Sequence, residues 1–274
     1  MQRIPSPPTS SARAKRVLRP AVASSVRALS QHLVAVTFTG EGLDGFELTA
    51  PAQHIQVFLP DPNGRGLELE ESGGGRVFAA ANPRPTVRTY TPRRFQPGPA
   101  ELEVLFVVHG AGPGSGWAET ARPGDPVVIG GPAGGYPLDP DASRYVLAGD
   151  ESALPALASL LEALPASASA EVHVEVPEGE TELALASAAP FTLRWWHRPE
   201  AARAGDALVA VLTEDDGVGR RLAQAPDTRF WMAGEAAASR RIRRYLIDCH
   251  HLDRSQAYTR AYWKYGKGGD AGGD

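Results

Sequence analysis

The sequence predicts two domains, an N-terminal antiparallel β-barrel followed by a C-terminal α/β domain built on a parallel sheet. Three observations carry this. From Val17 to about Leu138 the apolar residues fall into short extended runs divided by Gly and Pro, with little helical spacing, as in a closed antiparallel barrel or sandwich. From Arg144 onward, short strand-like runs alternate with helical patterns, as in a doubly wound parallel sheet. The length of 274 residues suits two domains of ordinary size, and 42% hydrophobic with 22% charged residues is a globular composition.

In order along the chain, residues 1–15 read as a flexible basic tail, with Arg3, Arg13 and Lys15 among many Pro and Ser and no apolar core of a signal peptide. Residues 16–140 form the barrel domain, with strands expected at Leu33–Thr39, His54–Leu59, Val87–Thr91, Leu102–His109 and Pro126–Gly130. The Gly- and Glu-rich stretch Leu59–Arg76 reads as a long hairpin loop. The second domain spans residues 141–267. Its strands are expected at Tyr145–Ala148, Val172–Val176, Phe191–Trp196 and Arg229–Ala233, and its helices at Ala153–Leu164, Ala207–Leu212 and about Glu235–Cys249. Trp195, Trp196 and Trp231 read as core, and Cys249 as a buried helix residue beside Ile242 and Leu246. Residues 268–274 read as a disordered tail.

Bulk properties narrow the function. A net charge of −4 points away from nucleic acid. No run approaches the roughly 20 apolar residues of a membrane span. The lone Cys249 allows neither an internal disulfide nor a cluster ligated by this chain's cysteines, which fits a reducing, cytoplasmic setting.

The stretch Pro85–Phe95, PTVRTYTPRRF, holds the most specific chemistry. Its alternation puts Arg88 and Tyr90 on one face of a strand and Thr89 and Thr91 on the other. Arg offers a fork of donors suited to phosphate, and Tyr a flat face suited to a planar ring. An ordinary barrel strand with an exposed Arg is the plainer reading. After the next strand comes His109-Gly110-Ala111-Gly112-Pro113-Gly114-Ser115-Gly116-Trp117, with Ser115 as the expected cap of a helix starting near Trp117. Exposed backbone N–H groups ahead of a helix make an anion site, though the same glycines serve in a plain connector. His109 is equally suited to a cofactor contact and to a backbone bond.

In the second domain Gly149 and Gly234 each end a strand and lead into a helix, and no G-x-G-x-x-G fingerprint is present. Asp150, Glu151 and Glu235 suit ribose hydroxyls or simple helix capping. Arg198 is a phosphate candidate, whereas Glu175 at the end of the second strand suits a free ribose hydroxyl. Arg240, Arg241, Arg243 and Arg244 read as a solvated helix face. Arg260, Lys264 and Lys267 close the chain with a local basic group, readable as an edge strand guarded by lysine.

RTYTPRRF, the segment ELEVLFVVHGAGPGSGWAETARPGDPVVIGGPAGGYPLDP and RYVLAGDESALPALASLLEALP, taken together and in this order, resemble the siderophore-interacting protein family of FAD-containing ferric-siderophore reductases, within the ferredoxin-reductase-like superfamily. The chain departs from the family pattern at Leu105, Gly114 and Pro92. The resemblance implies that Arg88 meets the flavin pyrophosphate, that Tyr90 packs on the isoalloxazine, that Thr91 lies near its reactive nitrogen N5, and that Thr89 belongs to the same segment. It places His109, Gly110, Gly112, Ser115 and Trp117 on a second flavin segment. It assigns Gly149, Asp150, Glu151, Ser152, Ala153, Gly234 and Glu235 to NADPH or NADH, and basic side chains of the closing segment to an anionic ferric siderophore. The implied activity is transfer of electrons from NAD(P)H through FAD to the ferric siderophore, releasing Fe(II), with no metal ligated by the protein and a monomer as the working expectation. Two other readings remain at this point: a flavoprotein reductase serving a ferredoxin or another protein, and a non-catalytic siderophore- or flavin-binding protein.

Overall fold

In the computed structural model, which describes residues 17–73, 75–81, 83–110, 112–177, 182–213 and 218–266, the N-terminal half is one seven-stranded antiparallel sheet with a small added hairpin. The strands are β1 (Leu18–Ala28), β2 (Leu33–Thr39), β3 (Gln53–Leu59), the hairpin β4 (Leu69–Ser72) and β5 (Gly75–Phe78), then β6 (Thr86–Tyr90), β7 (Pro92–Gln96), β8 (Glu101–Val107) and β9 (Pro126–Gly134). Helix α1 (Pro113–Thr120) lies between β8 and β9. The order in the large sheet is β6-β3-β9-β1-β2-β8-β7. Its two edge strands, β6 and β7, are therefore consecutive in the chain and separated by Thr91 alone. The sheet curls so that this residue joins its ends, giving a barrel closed by the chain.

Period-two burial drives the curl. Val36, Phe38, Ile55, Val57, Val104, Phe106 and Ile129 are essentially inaccessible and form the barrel core. Phe106 sits among Phe38, Tyr90 and Trp117, and burying such a ring contributes roughly 1.5–3 kcal/mol.

The C-terminal half is a five-stranded parallel sheet of β10 (Arg144–Asp150), β11 (Ser169–Val176), β12 (Phe191–His197), β13 (Thr228–Glu235) and β14 (Ala257–Trp263), in the order β12-β11-β10-β13-β14. A single 3-10 turn, Glu151–Ala153, leads from β10 into α2 (Leu154–Ala163). Helices α3 (Asp206–Thr213), α4 (Val218–Gln224) and α5 (Ala236–Arg243) follow among the described residues, and a π-helical turn, Arg244–Cys249, extends α5. Both sheet faces are covered, as parallel strands require. Leu154, Leu157, Leu160 and Leu161 of α2 cover one face; α3, α4 and α5 supply Leu208, Leu222 and Ile242 to the other. The α2 core continues into the barrel through Leu33, Ala35, Ala52 and Leu105, so the two halves share apolar packing. Ser159 accepts from the Ala52 N–H at 2.9 Å, and Arg93 pairs with Glu162 at 2.9 Å across the same seam.

Several expectations are corrected. β1, β7 and α4 lie where the sequence predicts no element, and the long hairpin loop expected over Leu59–Arg76 holds β4 and the start of β5, whose Leu69 and Phe78 pack onto a small cluster with Phe58 outside the barrel. Ser115 does not cap α1. The helix starts four residues earlier than expected, at Pro113 with Gly112 as N-cap, because Pro is preorganised for a first turn. Cys249 is exposed, not buried. The π turn widens the helical repeat, so the position that α-helical spacing would bury swings outward. Trp231 is core, whereas Trp195 and Trp196 are half-buried. The expected tails, residues 1–15 and 268–274, lie outside the described residues, as does Lys267.

Candidate functional site

The barrel's own geometry brings two of the singled-out segments together. Arg88 and Tyr90 project from β6, and Gly114 lies in the first turn of α1 against both of them. A Cβ on Gly114 would stand 2.4 Å from the Tyr90 hydroxyl oxygen and 3.5 Å from Arg88 Cγ, so the close approach depends on the missing side chain. Among the described residues, the N-cap Gly112 has no side chain to cap the first turn of α1, and first-turn N–H groups of this kind suit an external acceptor. Arg88 is half-buried and gives one donor to the Val87 carbonyl at 2.7 Å; among the described residues no carboxylate pairs with it. A guanidinium beside uncapped N–H groups is a donor set matched to a pyrophosphate, and the adjacent aromatic ring suits a planar heterocycle. These residues fit FAD.

The other residues of the two segments serve more structural ends. The Ser115 hydroxyl accepts from the His109 N–H at 3.0 Å and donates to Glu119 at 3.1 Å, tying β8 to α1. Trp117 turns inward onto Phe38 and Phe106, while His109 and Gly110 are exposed. Gln56, paired in register with Thr89, has a buried side-chain oxygen without a partner among the described residues, and nothing in the sequence marks it. Thr91 is buried, with its hydroxyl 3.4 Å from that of Tyr262 on β14. The link between β6 and β7 thus touches β14, near the end of the chain.

At the carboxyl ends of the parallel strands, chain order reverses between β10 and β13, which is where open α/β sheets bind ligands. Gly149, Asp150, Glu151, Gly234 and Glu235 meet there. A Cβ on Gly149 would stand 2.5 Å from Ala153 Cβ and 2.9 Å from the Ala233 carbonyl oxygen; one on Gly234 would stand 2.7 Å from Asp150 Oδ2. Asp150 caps the turn through Ser152 N–H at 3.0 Å and the Ser152 hydroxyl, and its other oxygen accepts from the Glu235 N–H and Trp263 Nε1, both at 2.8 Å. Burial, and then the Glu151 charge, push Asp150 up to about 7, against donors that favour the carboxylate. Glu235 caps α5 through the N–H groups of Ala237 and Ala238. Glu151 is buried, with one carboxylate oxygen on Arg198 at 3.0 Å and the other without a partner among the described residues.

Arg198 and Glu175 do not take the roles considered for them. Glu175 is fully buried, and accepts from Arg198 at 2.7 Å, Gly205 N–H at 2.7 Å and Ala207 N–H at 3.1 Å, fixing the start of α3. Burial would lower the Arg198 guanidinium, but Glu151 and Glu175 together raise it. Its fork is occupied by two carboxylates, so neither residue is free for a phosphate or a ribose. The basic side chains of α5 remain at the surface, Arg241 pairing with Asp206 at 2.9 Å. Arg260 and Lys264 are exposed on and just beyond β14, which is the sheet edge. Among the described residues no group of three or more His, Cys, Asp or Glu could hold a metal ion, and no helix is long and apolar enough to cross a membrane.

A chain-closed antiparallel barrel joined to a five-stranded parallel sheet places the chain in the ferredoxin-reductase-like class of folds. Phthalate dioxygenase reductase has this fold too, at a TM-score of 0.60 and 13% identity over 91% of this chain and 70% of that one. Within the class, the chain belongs to the siderophore-interacting protein family. Residues 22–136 match the siderophore-interacting FAD-binding domain, and residues 142–266 match the siderophore-interacting protein domain. It is similar to ferric vibriobactin reductase ViuB of Vibrio cholerae, 33% identical with 89% of this chain and 88% of that protein covered. The NADPH-dependent ferric-chelate reductase of Escherichia coli is 29% identical, with 87% and 89% covered. Among solved structures, a siderophore utilization protein from T. fusca superposes with a TM-score of 0.76 at 31% identity, covering 93% of this chain and 95% of that one. The siderophore-interacting protein SipS from Aeromonas hydrophila gives 0.73 at 29% identity, covering 92% and 93%.

Proposed function

We propose that the chain is an FAD-dependent oxidoreductase that passes electrons from NAD(P)H to a ferric siderophore and releases Fe(II). The observation that carries this is the convergence of Arg88, Tyr90 and the uncapped start of α1 on Gly114, next to a parallel sheet with an open switch point. FAD, when bound, supplies the conversion from two-electron hydride chemistry to single-electron delivery.

The protein's part is binding and orientation. In this reading Arg88 and the N–H groups of the first turn of α1 hold the pyrophosphate, while Tyr90, Thr91 and Thr89 flank the ring system. His109, Gly110, Gly112, Ser115 and Trp117 shape the second flavin segment. Residues Gly149–Ala153, together with Gly234 and Glu235, line the nicotinamide nucleotide, and the unpartnered oxygen of Glu151 is an acceptor for one of its hydroxyls. NADPH is the donor favoured by the name of the Escherichia coli relative, and a cytoplasmic setting fits that donor. Lys264 and Arg260, with Lys267 from the sequence, attract an anionic chelate to the end of the chain. Ferric iron is substrate here, held by its own chelator, so the chain needs no metal ligands. The curated relatives named as ferric reductases favour this reading over a reductase serving a protein, and over a non-catalytic binder.

The test is direct. The purified chain should be yellow, release FAD on denaturation, and bleach when NADPH or NADH is added without oxygen. A colourless protein that cannot be reconstituted with FAD would refute the reading.

A further inference from the structure

Strand β14 does not run smoothly beside β13. Gly234 pairs with Ala261, and the next pair is Glu235 with Trp263, so Tyr262 is an extra residue in a bulge. A bulge re-aims the side chain it carries, and bulges gather next to active sites. Here the Tyr262 hydroxyl reaches across to Thr91, 171 residues away in sequence. The bulge is pinned from below: one oxygen of the buried Asp150 accepts from both the Glu235 N–H and Trp263 Nε1, each at 2.8 Å, on the two strands that form it. Only a glycine at 234 lets that oxygen so close, since a Cβ would stand 2.7 Å from it. Burial pushes the Tyr262 phenol up to about 12, so it stays a neutral hydroxyl partner throughout the neutral range.

We propose that Tyr262 is a positioning residue for Thr91, set in place by the Asp150–Trp263 hydrogen bond through the β14 bulge. This rests on the reading that Thr91 faces the flavin ring. The Thr91–Tyr262 separation of 3.4 Å is long for two hydroxyls, and such contacts tighten when a site is filled. Tyr262 keeps the Thr91 hydroxyl pointing one way, and Asp150 acts on Thr91 only through it.

The experiment measures the flavin midpoint potential and the shape of the oxidised absorption band in Tyr262→Phe, Thr91→Val, the double variant and Trp263→Phe. Phenylalanine keeps the ring at 262, and far-UV circular dichroism checks the fold. Thr91→Val is expected to shift the potential by roughly 30 mV, a tenfold change for a two-electron couple. Tyr262→Phe should shift it in the same direction, add nothing in the Thr91→Val background, and be reproduced by Trp263→Phe. Equal shifts from Tyr262→Phe in both backgrounds, or no shift, would overturn the positioning role. A shift in Tyr262→Phe that Trp263→Phe lacks would overturn the part given to Asp150. If Thr91→Val itself changes neither readout, the placement of Thr91 at the flavin is wrong, and the proposal goes with it.

Discussion

Replacing Arg88 with Ala separates binding from folding more cleanly than any other change. The guanidinium is half-buried, has no carboxylate partner among the described residues, and gives one bond to the Val87 carbonyl. Removing it therefore leaves no opposite charge stranded in the interior, and the flavin-free protein should lose about 0.5–1.5 kcal/mol, the usual worth of one intramolecular hydrogen bond. Flavin affinity should respond far more. A hydrogen bond to a charged group is worth about 1.5–3 kcal/mol, which converts to roughly a ten- to 150-fold weaker FAD dissociation constant at 1.4 kcal/mol per decade. Arg88→Lys keeps the charge but loses the fork, so it should fall between the two. Titrating flavin-free protein with FAD at low and high salt checks this, with the melting temperature of the flavin-free form as control. Wild-type affinity in Arg88→Ala would refute the assignment. So would a melting temperature that falls as steeply as the affinity, because Arg88 would then be a structural residue.

Three further outcomes are expected. Gly149→Ala forces a methyl to 2.5 Å from Ala153 Cβ and should cost about 1–3 kcal/mol in thermal unfolding, whereas Gly116→Ala, with nothing within 4 Å, should be neutral or slightly stabilising. Burial, and then the Glu151 charge, raise the Asp150 carboxyl well above its unfolded value, so its contribution to stability is fullest below the unfolded value and is lost as pH rises toward neutrality; urea midpoints measured across that window should fall, and Asp150→Asn should flatten this slope even if its midpoint is lower throughout. Lys264→Ala should raise the apparent KM for an anionic ferric chelate more than it lowers kcat, with the difference shrinking at high salt as screening takes over; an unchanged KM at low salt would remove Lys264 from the approach path.

What was legible in the sequence was whatever depends on near neighbours. The alternation of Leu33–Thr39 records burial on one face and the leucine spacing of α2 a helix packed against the core, and both elements formed as read. β1 escaped because Pro20, Ser24, Ser25 and Arg27 interrupt its apolar residues; its pairing with β2 and β9 supplies what its own pattern lacks. The π turn escaped because only a structure shows the repeat widening that exposes Cys249. At the candidate site, the residue types of the Arg–Tyr strand and the Gly turn were readable, but their meeting at Gly114 was not. Long-range partners were hidden altogether. Arg198 looked free for a phosphate until Glu151 and Glu175, 47 and 23 residues away, closed on it. The contact between Thr91 and Tyr262 spans 171 residues and has no local signature.

The central claim is tested most directly by mixing the protein, reduced by one equivalent of NADPH without oxygen, with excess ferric siderophore in the presence of a coloured ferrous trap. Two electrons leave each reduced flavin singly, so the flavin absorbance should return as about two Fe(II) per FAD appear in the trap. Flavin that stays bleached in the ferric siderophore, yet is reoxidised at once by a ferredoxin or another protein acceptor, would contradict it.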